Sequence, residues 1–232
     1  MPQFPTQGWV RADLHCHTVY SKDSLTSLKA VIAACQRKGL HRIAITGHNT
    51  VEGALRLRDL APELVIVGEE IKTAHGDIQA FFIEQLIPPG LSPEETIACI
   101  REQGGVVGVP HPLDPMRGEA MGEENLRRIV HLVDCIEVFN ARTTFSIHNR
   151  RAAAFARAHG LPGTAGSDAH TASEIGRAYV EMPAFDSPTS FLGALAQGRV
   201  VGRRSSPLVH LFSRWATFRK RLMAHQGRHT PK

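Results

Sequence analysis

The stretch Asp13-Leu14-His15-Cys16-His17 sets two imidazoles and a carboxylate at alternate positions close behind the N-terminus. In an extended strand successive side chains point to opposite faces, so Asp13, His15 and His17 share one face and Leu14 and Cys16 take the other. Two imidazoles at the end of a buried strand are poor core material, because each carries a polar nitrogen that needs a partner. They are good ligands for a divalent transition metal. Taken alone, the stretch also reads as a polar strand end with solvated histidines. The rest of the chain separates the two readings.

Onward from His17 the same pattern recurs: a short apolar segment runs into a polar end. Residues 25–38 have helical spacing of apolar positions, and Gly39 is placed to stop that helix. Residues 41–46 form an apolar strand ending at Gly47-His48-Asn49-Thr50. Residues 64–67 deliver Gly68-Glu69-Glu70, and 71–84 read as two strands around His75-Gly76-Asp77. Ser92-Pro93-Glu94-Glu95 is a capped helix start. Residues 106–109 lead into Pro110-His111-Pro112, and 135–139 end at Asn140-Ala141-Arg142. After a helix over 147–159, residues 163–165 present Gly166-Ser167-Asp168-Ala169-His170. This alternation predicts an α/β fold with a parallel sheet and crossover helices. Polar residues at successive strand ends suit a barrel, whose C-terminal rim gathers them at one mouth, better than an open wound sheet.

The motifs Asp13-Leu14-His15-Cys16-His17-Thr18, Ile45-Thr46-Gly47-His48-Asn49-Thr50, Gly68-Glu69-Glu70, Pro110-His111-Pro112 and Gly166-Ser167-Asp168-Ala169-His170 resemble, in that order, those of the PHP (polymerase and histidinol phosphatase) family. The resemblance spans roughly residues 9–202. It implies a distorted (β/α)7 TIM-like barrel holding two or three divalent metal ions (Zn, Mn or Fe) for phosphoester hydrolysis. Carried over residue by residue, it makes His15, His17, Glu70 and Asp168 ligands of one ion. Glu70 bridges to a second ion that also takes His111, and Asp23, His48 and His170 hold a third. Asp13 is expected to orient a metal-bound imidazole from behind. The implied reaction is in-line attack of a metal-bridging hydroxide on phosphorus, with Glu70, Asp168 and His170 as the catalytic set and His170 or a bound water protonating the leaving oxygen. Glu69 faces away from Glu70 in a regular strand, which favours Glu70 as the ligand.

Three positions depart from the family pattern: Gly47 and Asn49 stand where aspartates are frequent, and Gln79 where many relatives have a histidine. They leave the second site thinly liganded, with Asn140, His75 or water as candidates to complete it. They also keep open a non-catalytic PHP-like binding or regulatory module with a partly degenerate site, associated with nucleic acid. A metal-dependent amide or lactone hydrolase fits the histidines but not the order of the motifs. Arg117, Arg142 and Arg177 are the candidate phosphate binders, since a guanidinium suits bidentate contact with phosphate. His41, His131, His148, His159, His210, His225 and His229 receive no role, and Cys16 reads as a small buried hydrophobe.

A chain of 232 residues, 42% hydrophobic and 21% charged, suits one large domain. Residues 1–204 are expected to form the PHP-like phosphoesterase domain, with about 171–204 as its PHP-associated part, and 205–232 a basic amphipathic helix and disordered tail. No apolar run approaches the roughly 20 residues needed to span a bilayer, and nothing reads as a signal peptide. The four scattered cysteines suit reduced thiols and a cytoplasmic protein. The net charge of +5 is uneven: residues 203–232 carry eight Lys or Arg and no acid, leaving 19 basic against 22 acidic residues, net −3, in the body. The high pI therefore belongs to the tail and is no argument that the body binds nucleic acid. In that tail Leu208, Leu211, Phe212, Trp215, Phe218 and Leu222 recur at helical spacing, with Arg214, Arg219, Lys220 and Arg221 between them. The expectation is a helix docked on the body with its basic face in solvent, or else in contact with nucleic acid or an acidic membrane. Order is expected to end at Ala224. The remaining partner is a phosphorylated small molecule or nucleotide as substrate.

Overall fold

The computed structural model describes residues 8–226. In chain order these form β1 (Trp9–Cys16), α1 (Leu28–Lys38), β2 (Arg42–His48), α2 (Glu52–Leu60), β3 (Val65–Thr73), β4 (Gly76–Phe81), α3 (Pro93–Glu102), β5 (Val106–Val109) and α4 (Gly122–Ile129). A 3₁₀ turn (Val130–Leu132) follows, then β6 (Cys135–Asn140), α5 (Ser146–Ala158), β7 (Gly163–Gly166), β8 (Ala178–Pro183), α6 (Pro188–Ala196), β9 (Arg199–Gly202) and α7 (Val209–Gln226). Local chemistry sets several boundaries. Ser27 caps α1, and Gly39 ends it in the left-handed region at φ 63°. Ser92 and Glu95 close a reciprocal capping box on α3, with Pro93 in the first turn.

The strands form one sheet in the order β7-β6-β5-β4-β3-β2-β1-β8-β9. The sheet curls until the exit of β7 meets the end of β1. There the Asp168 amide donates to the His15 carbonyl at 2.8 Å, and the His17 amide to the Ala169 carbonyl at 2.9 Å. Strand β1 therefore works in two halves. Trp9 to Ala12 pair antiparallel with β8, while Cys16 bridges parallel to Ala169 and closes the barrel. The ring is less regular than seven β/α units. Strand β4 runs antiparallel to both β3 and β5, because the expected turn around His75-Gly76-Asp77 joins it to β3 as a tight hairpin and interrupts the β/α repeat. Strands β8 and β9 then extend the sheet beyond the ring, β8 antiparallel to β1 and β9 antiparallel to β8.

Alternation along β2 shows how the barrel is filled. Ile43 and Ile45 join the apolar layer under the helices, and Ala44 joins the opposite cluster with Ile66, Phe81 and Phe191. Each fully buried side chain of this size contributes roughly 1.5–3 kcal/mol. Strand β1 breaks strict alternation. Its register with β2 shifts between Asp13 and Cys16, so Leu14 packs with Val10 and Ala12 in one cluster and Cys16 with Ile43 and Ile45 in the other. A bulge of this kind re-aims side chains, which corrects the expectation that Leu14 and Cys16 share a face.

Helix α7 also differs from expectation. It reaches Gln226, past the residue where order was expected to end; residues 227–232 lie outside the described residues. Its contact with the body runs through Val209, Ser213, Ala216 and Lys220. Arg142 donates to the Val209 carbonyl and the Ser213 hydroxyl, Ala216 is buried, and Lys220 donates to the Val19 and Ser21 carbonyls. The large apolar residues, expected to make that contact, are exposed instead. Among the described residues no helix is long and apolar enough to cross a membrane.

Candidate metal centre

The strand ends at one mouth of the barrel bring together residues spread over more than 150 positions. His15 and His17 come from β1, His48 from β2 and Glu70 from β3. His111 follows β5, and Asp168 and His170 follow β7. Asp23 reaches in from the loop before α1. All but Asp23 and His48 are fully buried. Around the middle of the cluster, His15 Nε2 lies 3.1 Å from His17 Nε2 and 3.2 Å from Glu70 Oε2. It lies 3.8 Å from Asp168 Oδ1. His17 Nε2 lies 3.4 Å from Glu70 Oε2 and 3.2 Å from Asp168 Oδ1. Four donors about 2.1 Å from a tetrahedral ion stand about 3.4 Å apart, so these separations match the edges of a coordination shell. To one side, Glu70 turns its other oxygen to His111 Nε2 at 3.0 Å. On the other side, Asp23 Oδ2 lies 2.9 Å from His170 Nε2 and 3.3 Å from His48 Nε2.

The local backbone is bent to present these groups. His111 (φ 28°), Asp168 (φ 51°) and Asn49 (φ 51°) all take positive φ, an arrangement that costs of order 1–3 kcal/mol per residue and clusters at functional sites. Asn49 offsets it by accepting the Lys72 amide on its side chain at 2.8 Å. Gly166 allows β7 to press on β1, since a Cβ there would lie 2.1 Å from the His15 Cβ. Gly47 has a similar cause. A side chain there would collide with Thr50 and with Ser21 Oγ, and that hydroxyl lies 3.3 Å from His17 Nδ1 while accepting the His48 amide at 3.2 Å. Gln79 points inward, where its amide donates to Thr46 Oγ1.

Charge at the centre is strongly coupled. Burial disfavours the Asp168 carboxylate, but Arg117, His15 and the neighbouring imidazoles hold its pKa well below the usual range. Burial likewise opposes ionisation of Glu70, and His48, His15 and His111 overcome it. Burial pushes His17 down to about 3, helped by His170 and His48, which keeps its imidazole neutral and able to donate a lone pair. The His48 pKa moves the other way, to about 9, because Glu70 and Asp23 outweigh its desolvation. Asp77, buried nearby with an unpartnered Oδ1, is pushed up to about 8 by burial and by Glu70. Ionised carboxylates thus share the site with the neutral His17 imidazole and with His48, whose proton a bound cation would displace, a donor set that fits divalent cations.

Other candidates fall in different places. Arg117 reaches the centre, where its guanidinium pairs with Asp168 and lies 3.4 Å from Asn140 Oδ1. Arg142 is buried and committed elsewhere: it meets His170 Nδ1, lies 3.3 Å from Glu174 and holds the start of α7. Arg177 donates instead to the Arg204 carbonyl at 3.5 Å. Asp13 does not face an imidazole. Its oxygens accept the backbone amides of Ser167 at 2.8 Å and Gly176 at 2.9 Å, so it fixes the β7 exit loop. The orienting place behind His15 belongs to Glu137, whose Oε1 lies 3.1 Å from His15 Nδ1 and whose Oε2 accepts the His111 amide at 2.7 Å. Glu137 was not among the expected site residues, although a carboxylate inside the apolar strand Cys135–Asn140 was a visible signal. Asn140 joins it, donating to Glu137 at 3.0 Å and to Asp168 at 3.1 Å. His75 is exposed on the β3–β4 turn. Glu69 points away from the centre and accepts the Ile87 amide.

Comparison with known proteins agrees with this architecture. The family described as PHP domain matches residues 13–133, and the one described as PHP-associated matches residues 146–200. The chain belongs to the PHP domain family. It is 40% identical over 146 residues to the uncharacterized protein MJ1587 of Methanocaldococcus jannaschii, covering 57% of this chain and 82% of that protein. It is 33% identical over 196 residues to the uncharacterized protein MJ0417 of the same organism, covering 80% and 79%. Among solved structures it resembles a two-domain protein from Bacteroides vulgatus whose description includes a predicted PHP-like metal-dependent phosphoesterase. The TM-score there is 0.68 at 21% identity, covering 88% of this chain and 67% of that one.

Proposed function

We propose that this protein is a metal-dependent phosphoesterase, a phosphatase or nuclease acting on a small phosphorylated metabolite, nucleotide or oligonucleotide. The observation that carries the reading is the meeting of His15, His17, Glu70 and Asp168 at separations of 3.1–3.8 Å. These residues would hold one divalent ion. Glu70 with His111, and Asp23 with His48 and His170, would hold its neighbours. Bound there, such ions supply Lewis-acid polarisation of a phosphoryl oxygen and a water acidified towards neutral pH.

The chain's own groups do the rest. Glu137 fixes the His15 ring through Nδ1, leaving Nε2 to face the centre. Ser21 steadies the His17 ring in the same way. Arg117 is the one candidate arginine at the centre, and its guanidinium would transfer from Asp168 to an arriving phosphate oxygen. Both His170 ring nitrogens are engaged, by Asp23 on one side and by Arg142 and the Asp168 carbonyl on the other. His170 therefore serves as a ligand in this reading, and water protonates the leaving oxygen.

The test is metal analysis of protein purified without chelator, followed by a broad phosphoester panel with Zn, Mn or Fe added. Hydrolysis that disappears together with bound metal in His15→Ala supports the proposal. Metal-loaded protein that cleaves no member of the panel sinks it and favours a binding role.

A further inference from the structure

Helix α7 divides its surface into two separate contacts. Val209, Ser213, Ala216 and Lys220 repeat at helical spacing and face the barrel mouth, engaged as described above. A second stripe, rotated away from the first, carries Leu208, Leu211, Phe212, Trp215, Phe218 and Leu222. Each is 45–64% exposed. An isolated exposed leucine needs no explanation, but a continuous stripe with three aromatic rings marks a contact surface. Its surroundings are cationic. Arg214 and Arg221 flank it on the side away from the body, and no Asp or Glu occurs after Asp186. Arg219 lies within the stripe, its guanidinium 5.4 Å from the centre of the Trp215 ring.

We propose that this face of α7 docks on an anionic membrane surface. Charge decides between occupants. A second copy would bring Arg214, Arg219 and Arg221 against their own counterparts with no acid on the helix to neutralise them, whereas anionic headgroups complement them. Nucleic acid would satisfy the arginines but leave the aliphatic and aromatic stripe in water. A helix with an apolar stripe at acyl depth and arginines at headgroup level lies in the interface plane, and an arginine over a tryptophan suits the boundary between the two. Because the lipid-facing and body-facing stripes differ, docking leaves the contact with the barrel mouth in place. The metal centre then sits directly beneath the bilayer surface.

Sedimentation of the full chain with vesicles tests this. Equimolar phosphatidylglycerol and phosphatidylcholine vesicles are expected to carry the protein down at low salt, pure phosphatidylcholine vesicles far less, and rising salt is expected to release it. Trp215→Ser with Phe218→Ser removes apolar anchors, and Arg214→Glu with Arg221→Glu removes cationic ones. All four side chains are exposed, so both variants should keep the wild-type melting curve. Affinity is expected to fall about fivefold for each arginine neutralised, equivalent to about 1 kcal/mol, and further on reversal. The proposal is overturned if anionic and neutral vesicles bind equally or not at all. It is equally overturned if duplex or single-stranded nucleic acid binds while vesicles do not, or if the stripe proves to be buried in a dimer that the Trp215→Ser, Phe218→Ser variant dissociates.

Discussion

The barrel mouth and helix α7 invert the usual placement of side chains in opposite ways. At the mouth, ionisable groups such as His15, His17, Glu70 and Asp168 are buried. On α7, large apolar groups are exposed. Burying charge is costly unless it is paired, and the mouth manages the cost with a mesh of carboxylate–imidazole contacts around Arg117. Exposing apolar surface forfeits about 25 cal/mol per Å², and among the described residues nothing covers the α7 stripe in the same way. Both regions fit the proposals made above, in which cations complete the first surface and lipid the second. The first is fully formed and rigidly backed, while the second rests on a few polar contacts.

The contrast can be broken by measuring stability in both regions. Saturating zinc at a hundred to a thousand times its Kd should raise unfolding free energy by about 3–4 kcal/mol, and chelator should reverse the gain. If denaturant curves with and without zinc coincide, the mouth is an internal salt-bridge network and the comparison fails.

A change of similar size should come from Glu69, just outside the centre. Burial, opposed by the Ile87 amide, raises its pKa from 4.5 to about 7. The folded protein keeps this proton through a window where the unfolded chain has released it, so stability falls as pH rises from about 4.5 to about 7. The loss amounts to about 3 kcal/mol. Glu69→Gln should remove that slope and make the protein more stable at pH 8, as read from urea midpoints. An unchanged slope would assign the pH dependence to the centre itself.

Glu137→Gln sharpens the picture of how the mouth is held. Its side-chain amide cannot accept from both the His15 ring and the His111 amide, so zinc affinity should drop about 10- to 100-fold in competition titrations, with the fold retained. The smallest effect belongs to α7. Trp215→Ser should shift stability by less than about 0.5 kcal/mol, and a larger loss would mean that the stripe packs on the body in solution.

The order of elements was legible in the chain because its signals are local. The Ser92–Glu95 capping box, the Gly39 stop and the apolar run 106–109 each act over a few residues, and each lies where it was read. The residues gathered at the mouth were legible too, since motifs at successive strand ends must meet once the sheet curls. The hairpin that turns β4 antiparallel was half visible. The turn at His75-Gly76-Asp77 was expected, but its effect on the regular barrel repeat was not.

What short-range patterns could not convey was which distant partner each polar group would find. Asp13 was expected to be the carboxylate that orients a metal-bound imidazole, yet Glu137, 122 residues from His15, takes that place. Arg142 looked free to bind phosphate until the fold set it against His170, Glu174 and α7. The 3.6-residue spacing of α7 predicted an apolar face, and it was there, but spacing carries no information about which side of a helix meets the body. That choice depends on the shape and hydrogen-bonding groups of the barrel mouth, which exist only after the strands have closed.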